Sequence, residues 1–337
     1  MNDPKNARYD ADPRGLLTAR RAVCGYYEKK GFRVSPEQVL LTSSTSEGYH
    51  YLFRLLANPG EAISAAEPSY PLIATLSELN DVTLHHYRLA YDDDAWRIDF
   101  DSLKTSVDPH TRAILTVHPN NPTGNFVSRE EKKQLNETCA RQSCALIADE
   151  VFLDFNREEN NHPESFVSNE TVLTFTLSGL SKILGLPQMK LSWIVVSGPD
   201  AERTEALRRL EVISDAYLSV NTPAQHALPL WLHHERQVRD EIMSRVRANH
   251  GHLKKAVEDI RCGRVLKAEG GWAAIVKTSG SQNDEDMAIH LLDQWRVLVH
   301  PGFLFDFPSE GFLVMSLLSP EPLFVEGVRR LCGGLAG

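Results

Sequence analysis

Over residues 39–196 the chain is punctuated by short, nearly continuous apolar runs, at 39–42, 62–64, 83–87, 113–117, 145–148, 172–176 and 192–196. A strand with one face in water alternates apolar and polar residues, whereas a run without alternation is covered on both faces. The stretches between the runs carry apolar residues at helical spacing. Short buried strands separated by helices predict an α/β fold, with a mainly parallel central sheet and helices on both faces. Further helices are predicted over 16–31 and 200–214. One long helix is predicted from 224 to about 259, with a polar middle suited to bridging two domains. Strands at 271–277, 297–300 and 311–318, with a helix over 284–294, then predict a smaller α+β domain. The expected organisation is an N-terminal segment 1–35, a large domain 36–235 and a small domain 236–337. No internal repeat or low-complexity segment interrupts it.

A length of 337 residues agrees with two domains. The net charge of −9 argues against nucleic acid or an anionic membrane surface as a partner. No apolar run reaches the roughly 18 residues needed to span a bilayer. Met1 is followed by Asn2-Asp3-Pro4-Lys5 rather than an apolar signal core, so a cytoplasmic protein is expected. Cys24, Cys139, Cys144, Cys262 and Cys332 are odd in number and scattered, as for reduced thiols. None is at a zinc spacing, and no metal is expected.

The candidate chemistry follows directly on the predicted strands. Lys182 ends Leu177-Ser178-Gly179-Leu180-Ser181-Lys182, just after one apolar run and before Gly185-Leu186-Pro187 and Lys190. A lysine near a strand end, among small residues, is a candidate Schiff-base former, because burial and nearby positive charge lower its pKa. Lys190 could hold a phosphate. Asp149-Glu150 closes the strand at 145–148, and Asn121-Pro122-Thr123-Gly124 follows the strand at 113–117. Ser44-Thr45-Ser46 precedes a helix starting at Glu47, where backbone N–H groups and hydroxyls form an anion site. An amide, a carboxylate, a lysine and a phosphate anchor are what a pyridine-ring aldehyde phosphate needs from a protein. Taken singly, each also has an ordinary reading: a solvated lysine, a turn asparagine, a capping aspartate or serine.

The spacing is 28 residues from Asn121 to Asp149, 33 from there to Lys182 and 8 more to Lys190. This ordered series resembles the fold-type I pyridoxal-phosphate enzymes, specifically the class I/II aminotransferase family. The resemblance starts at Tyr9-Asp10-Ala11-Asp12-Pro13-Arg14-Gly15, passes through 42–47 and Pro68-Ser69-Tyr70, and ends near Ser316. It implies pyridoxal 5'-phosphate as cofactor and a homodimer with shared active sites. It also implies roles. Lys182 carries the Schiff base and shuttles the proton, with Asp149 on the pyridine nitrogen and Asn121 on the phenolic O3'. Tyr70 stacks on the ring. Ser44, Thr45, Ser46, Ser181 and Lys190 hold the phosphate, and Tyr9 reaches the partner's cofactor phosphate. The helix at 16–31 is implied to pack with the small domain.

Several positions depart from the family pattern. Phe152 stands where relatives have a tyrosine that contacts O3'. Lys190 replaces an arginine and loses its two-pronged fork. Gly179 is often serine, and Ser178 is a candidate replacement for that hydroxyl. Many relatives carry a longer N-terminal arm that wraps a partner or closes over substrate. Relatives also grip the substrate carboxylate with an arginine two residues before a strand serine. In Phe312-Leu313-Val314-Met315-Ser316 that position is Val314. Lys277 and Arg296 are the nearby basic residues, each with a surface reading.

The implied function is transfer of an amino group from an amino acid or amine to an oxo acid or oxo intermediate, with small molecules as donor and acceptor. A lyase, decarboxylase or oxidase on the same apparatus is the alternative. A non-catalytic binding protein is a further one, which the joint presence of Lys182, Asp149 and Asn121 disfavours. Val314 shifts the expectation toward an unusual or weakly bound substrate.

Overall fold

The computed structural model describes residues 4–8, 11–158, 163–279 and 283–336, so the role expected of Tyr9 lies outside the described residues. Eight strands form the central sheet: β1 Val39–Thr42, β2 Ala62–Glu67, β3 Thr83–Asp92, β4 Ala95–Ile98, β5 Thr111–Val117, β6 Ala145–Asp149, β7 Thr174–Gly179 and β8 Ser192–Ser197. Their order is β1-β8-β7-β6-β5-β2-β3-β4. β3, β2, β5, β6 and β7 run parallel, while β8, β1 and β4 join antiparallel. β4 departs from the sequence reading, which has no strand there. Asp93 and Asp94, both at positive φ, form the two-residue turn that brings Ala95 opposite Asp92.

Helices cover both faces. On one side lie α2 Thr45–Leu56, α3 Leu72–Glu78 and α7 Asp200–Ala216, packed on Leu40, Ile63, Leu115, Ile147, Leu177 and Ile194. On the other lie α4 Phe100–Ser106 and α5 Arg129–Gln142. α5 starts at a capping box, in which Ser128 and Glu131 exchange hydrogen bonds with each other's backbone N–H. The short helix α6, Leu180–Ile183, carries Lys182.

The N-terminal helix α1, Leu17–Glu28, packs against β1, β8 and α8 (Thr222–His233), with Val23, Tyr27, Trp193 and Leu228 in one core. It therefore does not share the core of the smaller sheet, where the resemblance led one to expect it. Just past its end, Lys30 pairs with Asp154 in the loop after β6 and, at 3.4 Å, with Glu235 at the start of α9 (Glu235–Ile260).

The predicted single helix from 224 is two. α8 ends at His233, and α9 runs from Glu235 to Ile260. The break falls at His234, where the backbone leaves the helical range with φ of −93° and ψ of 5°. α8 buries Leu228 and Leu232 against α1, whereas α9 touches that core through Val238 and buries Val246, Leu253 and Val257 against the second sheet. That second sheet contains β9 Gly263–Val265, β10 Ala273–Thr278, β11 His300–Pro301 and β12 Phe312–Ser316, all antiparallel in the order β11-β12-β10-β9. α10 Asp284–Trp295 and α11 Glu321–Ala336 join α9 on one of its faces.

Glu150 shows how the large core treats a buried charge. Its carboxylate accepts bonds from Ser165 Oγ and Phe166 N, each at 2.6 Å. Burial nevertheless pushes its pKa from 4.5 up to about 7. Between those values the native chain keeps a proton that the unfolded chain releases, so stability falls as pH rises through the window. Glu150→Gln is expected to remove this dependence, gaining on the order of 1–3 kcal/mol over wild type at pH 7.5 relative to pH 4.5. Urea unfolding at both pH values measures it, and parallel pH profiles for the two proteins would refute it.

Candidate active site

The polar residues singled out in the sequence gather at the carboxyl ends of the parallel strands, where open α/β sheets bind ligands. Asp149 is the last residue of β6, and Lys182 lies three residues beyond β7. Asn121 follows β5, and Tyr70 follows β2. Asn120, which the sequence reading passed over, ties the last two loops together. It donates to Pro68 O at 2.9 Å and to Thr123 Oγ1 at 2.7 Å, and accepts from Ser69 Oγ at 3.1 Å. Asn120 is buried, and Asn121 beside it is partly open.

Lys182 points its ammonium at two aromatic rings. Its Nζ is 5.4 Å from the ring centre of Phe152 and 5.4 Å from that of Trp272. The two rings meet edge to face at 5.3 Å. This apolar setting lowers the lysine's pKa, and the charge of Asp149 opposes the shift. Asp149 is 3% exposed. Burial raises its pKa, while bonds from Tyr49 Oη (2.6 Å) and Val151 N (3.0 Å) and the pull of Lys182 hold it down. Its side chain is therefore fixed by hydrogen bonds at the end of its strand and does not cap a helix. Tyr70 is partly buried, and its hydroxyl pKa is raised by burial first and by the charge of Asp149 second. Tyr49 and Trp272 were not legible beforehand, because each reads as one more aromatic residue in an apolar pattern.

Ser44 caps α2, its Oγ accepting from Glu47 N at 3.1 Å. Thr45 and Ser46 form the first turn, both partly open. Ser181 is partly open beside Lys182. Lys190 is exposed in a left-handed turn, with no ion pair among the described residues. Ser178 and Gly179 project to opposite sheet faces. Ser178 pairs with Trp193, on the face toward α1, while Gly179 pairs with Ser192 on the face that carries α2. Ser178 thus does not replace a hydroxyl lost at 179.

Val314 is 2% exposed in β12, within a core shared with Ile275, Phe307 and Phe312. Lys277 and Arg296 are both exposed. Arg157 donates to Gly271 O and Ala273 O on either side of Trp272, and its Nη1 is buried without a hydrogen-bond partner among the described residues. No set of three metal-ligating side chains converges among the described residues. No helix among them is long and apolar enough to cross a membrane.

A lysine of lowered pKa and a buried carboxylate thus lie together at the carboxyl end of a parallel sheet, the edge at which open α/β sheets bind ligands. The family described as Aminotransferase class I and II matches residues 3–323, and the chain belongs to that family. It is an aminotransferase, moving an amino group from an amino donor to an oxo acceptor. The glutamate-pyruvate aminotransferase AlaA of Escherichia coli is 27% identical over 314 residues, covering 91% of this chain and 77% of that one. The alanine aminotransferase of Mycobacterium tuberculosis is 26% identical over 329 residues, covering 95% and 76%. Among solved structures, an aminotransferase from Escherichia coli superposes with a TM-score of 0.89 at 25% identity, covering 99% and 84%. The alanine aminotransferase of Pyrococcus furiosus shares the fold at a TM-score of 0.90, with 23% identity and coverage of 97% and 84%.

Proposed function

We propose that this aminotransferase uses pyridoxal 5'-phosphate, held between α2, the loops after β2 and β5, and the aromatic pair Phe152 and Trp272. The observation that carries the reading is Lys182, a half-buried amine flanked by Phe152 and Trp272 and within electrostatic reach of the buried carboxylate of Asp149. The residues fit the group. Asp149 is hard to ionise where it lies, and a protonated pyridine nitrogen beside it would favour the carboxylate. The hydroxyl of Ser192 and the indole N–H of Trp272 are buried without partners among the described residues, and a polar ligand satisfies such groups.

Bound there, the group supplies an electron-withdrawing ring that stabilises charge developing at the substrate Cα. The chain's own residues do the rest. Lys182 Nζ, favoured in its neutral form by burial, would take the proton from the substrate Cα and hold it for return to the cofactor's C4'. Asp149 holds positive charge on the ring nitrogen, and Tyr49 holds Asp149. Tyr70 covers the ring face, and Asn121 addresses O3'. Phe152 packs beside the lysine and cannot donate a hydrogen bond to O3' as a tyrosine does. Ser44, Thr45, Ser46, Ser181 and Lys190 bind the phosphate. A homodimer with shared sites agrees with exposed Leu79, Val212, Leu218 and Leu230 on and beside α3, α7 and α8.

The relatives' names point to small amino acids such as alanine and glutamate. Buried Val314 favours a second reading, in which the donor or acceptor is not gripped by a two-pronged cation, since valine cannot offset the cost of desolvating a carboxylate. A half-reaction screen separates the two readings. Purified protein is mixed with alanine, glutamate, simple amines and amino aldehydes, and the loss of the visible absorbance band is followed. If alanine or glutamate reacts with kcat/KM on the order of 10⁴ M⁻¹s⁻¹ or above, the second reading is wrong. A protein that binds no pyridoxal phosphate would overturn the whole assignment.

A further inference from the structure

We infer that Ser192 is a phosphate-binding residue of this chain, supplying the hydroxyl that position 179 lacks; the inference rests on the pyridoxal-phosphate reading above. Sheet register places it. Ser192 is the first residue of β8, opposite Thr42 at the end of β1 and opposite Gly179 at the end of β7. Thr42 leads through Ser43 into Ser44, the cap of α2, and Gly179 leads into the segment that carries Lys182. Ser192 therefore stands between the two segments that bracket the phosphate end of the site. Leu40, Leu177 and Ile194 lie two residues from Thr42, Gly179 and Ser192 on the same strands, and all three pack in the core beneath α2. Side chains two apart share a sheet face, so Ser192 projects toward α2.

Positions 179 and 192 exclude each other's side chains. A Cβ added to Gly179 would lie 2.2 Å from Ser192 Oγ, 2.7 Å from its Cβ and 2.9 Å from its Cα. The backbone at Gly179 is extended, with φ of 174°, and does not itself require glycine. The glycine is needed for room, most of which is taken by the Ser192 side chain. Ser192 is 1% exposed, and its Oγ is buried with no hydrogen-bond partner among the described residues. An unpaired buried hydroxyl is costly unless something bonds to it. A phosphate oxygen at the start of α2 can accept the hydroxyl proton and satisfy the group. Ser178, the other serine near this strand end, faces away toward Trp193.

The test is a comparison of two ligands on the full-length protein freed of cofactor. Binding of pyridoxal phosphate and of phosphate-free pyridoxal is titrated by absorbance for wild type, Ser192→Ala and the exchange Gly179→Ser/Ser192→Gly. A hydrogen bond to a charged group is worth roughly ten- to a hundredfold in affinity. Ser192→Ala is expected to lose about that much for pyridoxal phosphate and less than about twofold for pyridoxal. The exchange is expected to restore part of the loss by returning a hydroxyl from the other strand, the remainder reflecting the shift needed where the new Cβ at 179 meets the Cα of residue 192 at 2.9 Å. Equal losses for both ligands would mean that Ser192 only packs the strand end, and unchanged binding would mean that it does not touch the phosphate. Either result overturns this inference while leaving the cofactor reading intact. Failure of wild type to bind pyridoxal phosphate would instead refute that reading.

Discussion

Lys182→Ala is expected to lower kcat by on the order of 10⁴-fold or more, because the variant loses the group that moves the Cα proton. No other described lysine combines burial, a lowered pKa and the charge of Asp149 in this way; Lys132, whose pKa also falls with burial, faces Glu150 and Glu164 instead. Lys182→Arg should be nearly as inactive, since a guanidinium stays protonated. Borohydride treatment of the wild type should fix the cofactor to the peptide containing Lys182. The rate in wild type should rise with pH through a lysine pKa below the usual 10.5, because burial favours the neutral amine. Single-turnover kinetics measure the loss. A variant within tenfold of wild type, or labelling of a different lysine, would refute the assignment.

Asp149→Asn is the second large effect, with an expected loss on the order of 10²–10³-fold in kcat and cofactor still bound through its phosphate. Asparagine keeps the shape and can still accept from Tyr49, so the change removes charge rather than packing. Asp149→Ala should lose as much activity and also cost about 1–3 kcal/mol of stability, because Tyr49 Oη and Val151 N are left without their acceptor. Tyr49→Phe should cost only about tenfold or less, since the carboxylate keeps its backbone bond. Turnover and thermal unfolding of the three variants check this ordering. Near-normal rates in Asp149→Asn would make the residue structural.

Much of this site could be read from the chain because strand ends carry its chemistry. The apolar runs at 113–117 and 145–148 end within a residue or two of the strands they predict, so Asn121 and Asp149 fall where a parallel sheet presents its ligand-binding edge. The pairing of sites with strand ends depends on local order along the chain, which is what a sequence displays. The break between α8 and α9 was hidden for the opposite reason. The helical pattern continues through His234, and only the backbone departure at that residue divides it. α1 was misplaced because an apolar helix face does not name the surface that will cover it.

The residues that tune the site were hidden as well. Tyr49 lies 100 positions from Asp149, and Trp272 lies 90 from Lys182. Nothing local to either aromatic marks it as a partner of a charge, since only the packing of α2 and β10 over the strand ends brings them there. Ser192 and Gly179 show the same division in a single pair. The sequence displays a glycine where a hydroxyl is expected and suggests its neighbour Ser178 as the replacement. The antiparallel pairing of β7 with β8 sends Ser178 to the opposite face and sets Ser192 against Gly179. What the sequence determined is the fold class, which follows from periodicity, and the order of the candidate groups along one chain, whose resemblance to a known series implied the family. What the tertiary structure alone decided is which side chains share a face, because contacts across a sheet are set by register between strands far apart in sequence.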